Sequence, residues 1–418
     1  MRRAGSKRRS FEISKRLVFE AWKRVRANRG APGVDRQSIT DFESNEGNLL
    51  YKLWSRMSAG SYMPAPVRAV EIPKDHGAGV RVLGVPTTAD RVAQAAVAAW
   101  LEERLEPVFH PDSYGYRPGR RAHQALAVTR RRCWKQDWVL DLDIRSFFDS
   151  VPHDLMMKAV AHHTQERWVL LYIERWLKAP MQMPDGTLVA RNRGTPQGSP
   201  ISPLLANLFL TYAFDLWMTR EHPGVLFERY ADDIVCHCGT EGEARRLSQR
   251  IAERLKAVGL ELNAEKTKVV YCKDANRRGK AEHTSFDFLG YTFRQRLARG
   301  PRGLFMSFAP ALSPSARKAI SSAIRAWHLR RRSGSDLSSI AAEINPQVRG
   351  WIGYYGAFYR SELRFLVYRI DQHLVRWARH KFKRLRYHPV RAWAWLAAVK
   401  RRDPSLFAHW QGWPAAAS

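Results

Sequence analysis

Cysteine is scarce in this chain. Four occur in 418 residues, Cys133, Cys236, Cys238 and Cys272, with no CxxC pair and no zinc-finger spacing of Cys and His. A disulfide framework and a structural zinc site are therefore not supported. Long apolar runs are missing as well. The longest, "VAQAAVAAWL" at 92–101, falls short of the ~18 residues a membrane span needs and reads as a buried helix. The basic N-terminus "MRRAGSKRRS" has no apolar stretch after it, which argues against a secretory signal and for a cytoplasmic protein. No GxxxxGK[ST], HExxH or GxSxG pattern occurs, so the commonest nucleotide, metalloprotease and hydrolase motifs drop out.

Acidic residues are the other shortage. Thirty-nine Asp and Glu stand against 70 Lys and Arg, a net charge of +31. A solvated surface of mixed sign does not require such an excess, and the usual soluble polyanion that answers it is nucleic acid. No basic amphipathic helix near a terminus asks for a membrane surface instead. With 45% apolar residues the chain has material for a proper core, and its length allows two or three domains.

What is present divides by composition near residue 300. The first sixty residues read as basic helices broken at "RGAPGVD" (29–35). Two short strands, near 67–72 and 80–85, flank "KDHGAG", and a helix follows over 88–107. "DWVLDLDIRSFFDSV" (137–151) reads as a strand entering a turn, and 192–221 as a Pro/Gly loop followed by a long apolar helix. "VLFERYADDIVCHC" (225–238) reads as strand, turn, strand. Leu247, Ile251, Leu255 and Val258 at helical spacing predict a helix stopped at Gly259. Further strands fall at "EKTKVVYC" and "FDFLGYTFR". Mixed elements in this order suggest an α+β domain ending near residue 300. Residues 313–402 read as helices, and Arg317 to Arg402 carry 20 Lys and Arg against four acids. Such a module suits a nucleic-acid backbone, with its aromatics packed inward as core.

Two acids interrupt the apolar strand pattern at "RYADDIV", Asp232 and Asp233. A plain hairpin turn accounts for them; so does a pair of carboxylates presented to a metal. Phosphoryl transfer to a 3′-hydroxyl uses two Mg²⁺ ions roughly 4 Å apart, held by hard oxygen ligands. A third carboxylate is then needed. "VLDLDIRSFFDSV" offers Asp141, Asp143 and Asp149, and alternation puts Asp141 and Asp143 on one face, so periodicity does not select between them.

The blocks "DLDIRSFFDSV", "RGTPQGSPISPLLANLFL", "RYADDIV", "LNAEKTKVV" and "FDFLGYTF" resemble, in that order, the consecutive motifs of reverse transcriptases. "EIPKDHGAGVRVLGVPTTADRVAQ", "DSYGYRPGRRAHQAL" and "INPQVRGWIGYYG" are similar to blocks of the group II intron-encoded branch and its maturase region. The resemblance covers roughly residues 28–395. It implies a right-hand polymerase, with fingers and an antiparallel palm sheet over 1–300 (the N-terminal extension being about 1–60). An all-α thumb/maturase domain over 301–395 and a short basic, aromatic tail over 396–418 would follow.

The same resemblance implies Asp143, Asp232 and Asp233 as catalytic ligands of two Mg²⁺ ions, with Mn²⁺ able to substitute. Asp141 and Asp149 then serve structure. Phe148 matches the position that excludes a ribose 2′-hydroxyl, and Gln197 the lining of the incoming nucleotide's pocket. Lys74 and Arg81 match triphosphate contacts, and Lys266 is placed to protonate leaving pyrophosphate. Arg117, Arg120 and Arg121 are implied at the template backbone. Leu289, Gly290 and Tyr291 are implied at the primer terminus. The implied activity is RNA-directed DNA polymerisation by a short form lacking the C-terminal endonuclease module, together with binding of intron RNA to assist splicing and support of retrohoming. Partners would be dNTPs, an RNA template, intron RNA and a DNA primer or target, and no membrane. Two alternatives stay open: a splicing maturase with secondary polymerase activity, and a host-adopted or defence-associated reverse transcriptase. The aromatic at Phe148 speaks against an RNA-making polymerase.

Overall fold

Val18, Ala21, Trp22 and Val25 recur at helical spacing, and helix α1 (Lys15–Ala27) buries those four side chains. The computed structural model describes residues 10–73, 80–301 and 303–411. Its elements fall into two compact units, Met1–Ala125 with Trp138–Val269, and Leu126–Asp137 with Val270–Ser418.

In the first unit, α2 (Ile39–Glu43) opens on a capping box between Ser38 and Asp41, and α3 (Glu46–Ser58) follows. Strands β1 (Val67–Pro73) and β2 (Val80–Val85) pair antiparallel from Arg68↔Val85 to Pro73↔Val80. α4 (Thr88–Leu105), capped by Thr87, is buried along most of its length, as its run of small apolar residues predicts. Pro107 lies in the 3₁₀ turn that ends it. α5 (Ala122–Cys133) crosses the division between units.

β3 (Trp138–Leu142) leads through the short α6 (Phe147–Ser150) to α7 (His153–His163) and α8 (Arg167–Lys178). The two-residue strands β4 (Met181–Gln182) and β5 (Leu188–Val189) extend the β1–β2 sheet. The expected long apolar helix over 192–221 is broken in two, α9 (Ser202–Leu210) and α10 (Leu216–Glu221), by a π-turn at Thr211–Asp215. Arg254 donates to the carbonyls of Tyr212 and Ala213, at 2.9 and 3.0 Å, within that turn. Apolar periodicity carries no trace of such a one-turn bulge.

β6 (Leu226–Tyr230) and β7 (Asp233–Cys238) form a hairpin, and α11 (Glu241–Ala257) ends where Gly259 takes a φ of +78°. The central sheet runs β6-β7-β3 and ends on β8 (Lys268–Tyr271), inside which the unit division falls. The β6–β7–β3 pairings are antiparallel. One apolar core, including Leu140, Leu142, Phe147, Leu208, Phe214 and Ile234, joins this sheet to the helices of the unit. All four cysteines are buried, and among the described residues none forms a disulfide.

In the second unit, β9 (Ser285–Phe288), β10 (Tyr291–Gly300) and β11 (Gly303–Leu312) make an antiparallel sheet. The change of composition near residue 300 thus meets a hairpin running through it. β11 escapes sequence reading because Pro310 sits inside it, which is tolerable on this edge strand. Four helices follow, α12 (Pro314–Ala326), α13 (Leu337–Tyr355), α14 (Arg364–Lys381) and α15 (Pro389–Arg402). Their core includes Ile344, Leu366, Ile370, Leu374 and Trp377. Tyr368 and Tyr387, in contrast, are exposed. Among the described residues, no helix is long and apolar enough to cross a membrane.

Candidate active site

The register of the central sheet brings the acids of two distant segments together. β3 and β7 pair as far as Leu142↔Ile234, so the next positions across the strand ends are Asp143 and Asp233. β6 and β7 are joined by the two residues Ala231 and Asp232, with Tyr230↔Asp233 closing the hairpin. Asp143 and Asp232 are half-buried, and Asp233 is open to solvent on one side although protein surrounds the rest of it. Burial pushes the Asp233 carboxyl up to about 7, with the negative Asp232 and Asp143 adding to the rise and Lys266 opposing it. Burial raises Asp232 too, and the charge of Asp143 adds to that, while Arg81 and Arg229 draw it back. Among the described residues, no three His, Cys, Asp or Glu side chains stand close enough to hold an ion as placed. The donor set nevertheless suits a hard divalent cation: the three carboxylates repel one another, and positive charge among them would relieve it.

That repulsion has a measurable consequence. Asp233 binds its proton more tightly in the folded chain than at its ordinary 3.8. Between about pH 4 and 7 the folded state therefore holds more protons, and stability falls as pH rises through that window. Solvent access to the carboxylate keeps the effect modest. Without divalent ion, Asp233→Asn is expected to melt above wild type at pH 8 and to lose most of that advantage at pH 4. Equal melting temperatures across the range would contradict this placement of charge.

The turn that carries Asp232 is strained and held from below. Ala231 has a φ of +57°, a left-handed conformation that L-residues adopt at a cost. The Arg229 guanidinium donates to the Ala231 carbonyl at 3.1 Å and to Asn207 Oδ1 at 3.0 Å. Its other nitrogens reach both oxygens of Asp215 at 2.7 and 2.6 Å, with both side chains fully buried. Asn207 in turn donates to the Gly115 carbonyl at 2.6 Å. Gly115 lies so close beneath the turn that a Cβ there would stand 2.4 Å from the Ala231 nitrogen. Tyr116, beside it, is exposed, and the charge of Asp232 reaches its hydroxyl. None of Asn207, Asp215, Arg229 or Gly115 emerges as a functional residue from the sequence. The available signal was a lone acid, Asp215, inside the apolar run "LFLTYAFDLWM".

The Pro196–Gly198 loop is tied on two sides. Thr195 N–H donates to the Phe148 carbonyl and Gly84 N–H to the Gln197 carbonyl, each at 2.7 Å. Gly84 admits this approach because a Cβ would meet Pro196 and Val67 at 2.8 Å. Phe148 is half-buried against Phe147, with ring centroids 5.4 Å apart, and the Gln197 side chain is half-buried. Arg81 is exposed on β2, and its charge is felt at Asp232. Asn263 N–H donates to the Asp143 carbonyl at 2.8 Å, which brings Lys266 Nζ to 3.5 Å from Asp143 Oδ1.

Other expected positions are placed differently. Lys74 lies outside the described residues. Arg117, expected at a template backbone, is instead buried. Its guanidinium pairs with Glu106 at 2.7 Å and donates to the carbonyls of His110 and Ser113, so it fastens the 106–117 loop. Arg120 is half-buried, 5.7 Å from the Tyr114 ring, and Arg121 is exposed. Leu289, Gly290 and Tyr291 belong to the second unit. Leu289 and Gly290 form a two-residue turn with φ of +51° and +76°, and Tyr354 Oη donates to the Leu289 carbonyl at 2.8 Å. Tyr291 is fully buried, its hydroxyl donating to the Tyr354 carbonyl, so its ring is core rather than a surface for a primer.

Comparison with known proteins identifies the family of the chain. Residues 72–293 match the reverse transcriptase (RNA-dependent DNA polymerase) family, and residues 317–395 match the group II intron maturase-specific domain. The chain is 30% identical to Protein YkfC of Escherichia coli (strain K12) over 322 residues, 68% of this chain and 81% of that one. It is 29% identical to the group II intron-encoded protein LtrA of Lactococcus lactis subsp. cremoris, over 56% of this chain and 39% of that protein. A putative COX1/OXI3 intron 1 protein of Saccharomyces cerevisiae is 24% identical over 66% of this chain and 38% of its own length. The chain thus spans about two fifths of these intron-encoded relatives. It belongs to the reverse transcriptase family, the RNA-dependent DNA polymerases, and carries the maturase-specific domain of group II introns.

Proposed function

We propose that this chain is the RNA-directed DNA polymerase of a group II intron, which also binds the intron RNA to assist splicing and supports retrohoming. The observation that carries the reading is the meeting of Asp143 with the strained Ala231–Asp232 turn at the ends of β3 and β7. Residues 1–300 are assigned as fingers and palm, 301–395 as the thumb/maturase domain and 396–418 as a tail. Asp143, Asp232 and Asp233 would hold two Mg²⁺ ions, which when bound supply charge neutralisation for the attacking and leaving oxygens. Around them, Gln197 and Phe148 shape the nucleotide pocket, Arg81 and Lys74 face the triphosphate, and Lys266 is placed to give a proton to the leaving group. Arg120 and Arg121 remain the cations for the template strand, and the Leu289–Gly290 turn the contact for the primer. The excess of 20 Lys and Arg over four acids between Arg317 and Arg402 supplies the RNA-binding charge.

Two separable activities test this. The purified chain should extend a DNA primer on an RNA template, and Asp143→Asn should lose extension while still binding intron RNA and supporting its splicing. Splicing lost along with extension would tie the two functions to one site and contradict the assignment. Phe148→Ala is expected to raise ribonucleotide incorporation several-fold relative to dNTPs. Competition between dNTP and NTP on one template measures it, and unchanged selectivity would remove Phe148 from that role.

A further inference from the structure

Away from the carboxylates, the start of α7 and the segment entering the Gln197 loop line an open surface cavity of about 570 Å³. Lys178, Arg191 and Arg193 line it with His153 and a single acid, Asp154. Arg191 is half-buried. Its Nε donates to the Ala179 carbonyl at 2.8 Å and one Nη to the Trp176 carbonyl at 2.6 Å, at the end of α8. That anchors the guanidinium without neutralising it, for among the described residues neither Arg191 nor Arg193 forms an ion pair. Among the described residues Lys178 pairs only with Glu174, one turn back on α8, where both side chains are largely in water. Burial lowers the pKa of Arg191 to about 10, with Asp149 favouring its charge. A fixed, half-buried cation beside two exposed ones is a site short of an anion.

We propose that this cavity binds a phosphate group, carried by a nucleic-acid strand or free in solution. Guanidinium forks and an ammonium match phosphate oxygens in geometry and charge. The cavity opens to solvent, so a strand lying across it would reach these side chains. Its wall also belongs to the polymerase loop: His153 Nε2 meets the Gly194 carbonyl at 2.8 Å, Gly194 N–H donates to Val151, and Thr195 N–H donates to Phe148. A phosphate held by Arg191 and Arg193 therefore fixes the segment that leads into Gln197. The proposal does not depend on the polymerase reading, because the binding is read without catalysis.

The test uses the full chain and the double variant Lys178→Ala/Arg193→Ala, which leaves Arg191 on its carbonyls. Affinity for an RNA–DNA duplex is measured against salt concentration, and melting temperature against inorganic phosphate at constant ionic strength. If the ligand is a strand, the slope of log affinity on log salt falls by about 1 to 2 in the variant, equally for different sequences. If it is free phosphate, the slope stays and the wild-type melting shift with phosphate disappears. A variant identical to wild type in both measurements overturns the proposal. The charge-conserving Lys178→Arg/Arg193→Lys variant is expected to keep the wild-type response; its equal loss would also overturn it, since charge would not be the cause.

Discussion

Asp232→Ala is expected to lower RNA-templated nucleotide addition by about 10³-fold or more while the chain still folds and binds RNA. Metal ions at a phosphoryl-transfer centre contribute several kcal/mol of transition-state stabilisation, and each ~1.4 kcal/mol is tenfold in rate. If Asp232 holds those ions as proposed, its loss would forfeit most of that term. Stability should not follow. Burial raises the pKa of Asp232, with the charge of Asp143 adding to the rise, so deleting this acid relieves the folded state. Single-turnover primer extension beside a thermal melt separates the two effects. Extension at the wild-type rate would take Asp232 out of the site; a collapsed melt would make it structural.

Arg229→Ala is expected to cost about 3–5 kcal/mol of stability, the range for breaking a buried ion pair from one side. Asp215 would be left charged and fully buried, and Asn207 and the Ala231 carbonyl would each lose a donor. Urea unfolding would show the loss as a lower midpoint at unchanged slope. Pairing it with a second change distinguishes folding from positioning. Arg229→Met/Asp215→Leu removes both charges and should recover much of the stability, as apolar replacement of a buried pair often does. It leaves Ala231 at a left-handed φ without its clamp, so nucleotide addition should stay impaired. A double variant that recovers stability and full activity together would show that the clamp supports the fold alone.

How much of this was legible in the sequence depended on whether periodicity or distance was at issue. Helices such as Glu241–Ala257 and the β6–β7 hairpin followed from apolar spacing and from turn residues. Strand alternation does not distinguish Asp143 from Asp141, whereas the pairing does: Asp141 pairs with Val235 inside the sheet, and Asp143 lies one position beyond the last pair, Leu142↔Ile234. The Arg229–Asp215 pair was hidden since its members stand fourteen positions apart, with α10 between them. β11 was masked by Pro310, which counts against a strand until the strand is known to be an edge. Arg117 misled for a different reason: an Arg in a basic loop reads as surface, and its engagement by Glu106 and two carbonyls is a tertiary fact.

The most direct test is extension of a 5′-labelled DNA primer annealed to an RNA template by the purified wild-type chain, with dNTPs and Mg²⁺. The account predicts full-length DNA whose synthesis stops when the divalent ion is chelated and whose rate falls in Asp232→Ala. Binding of the primer–template with no DNA made under any divalent ion, or product made equally well by Asp232→Ala, would contradict it.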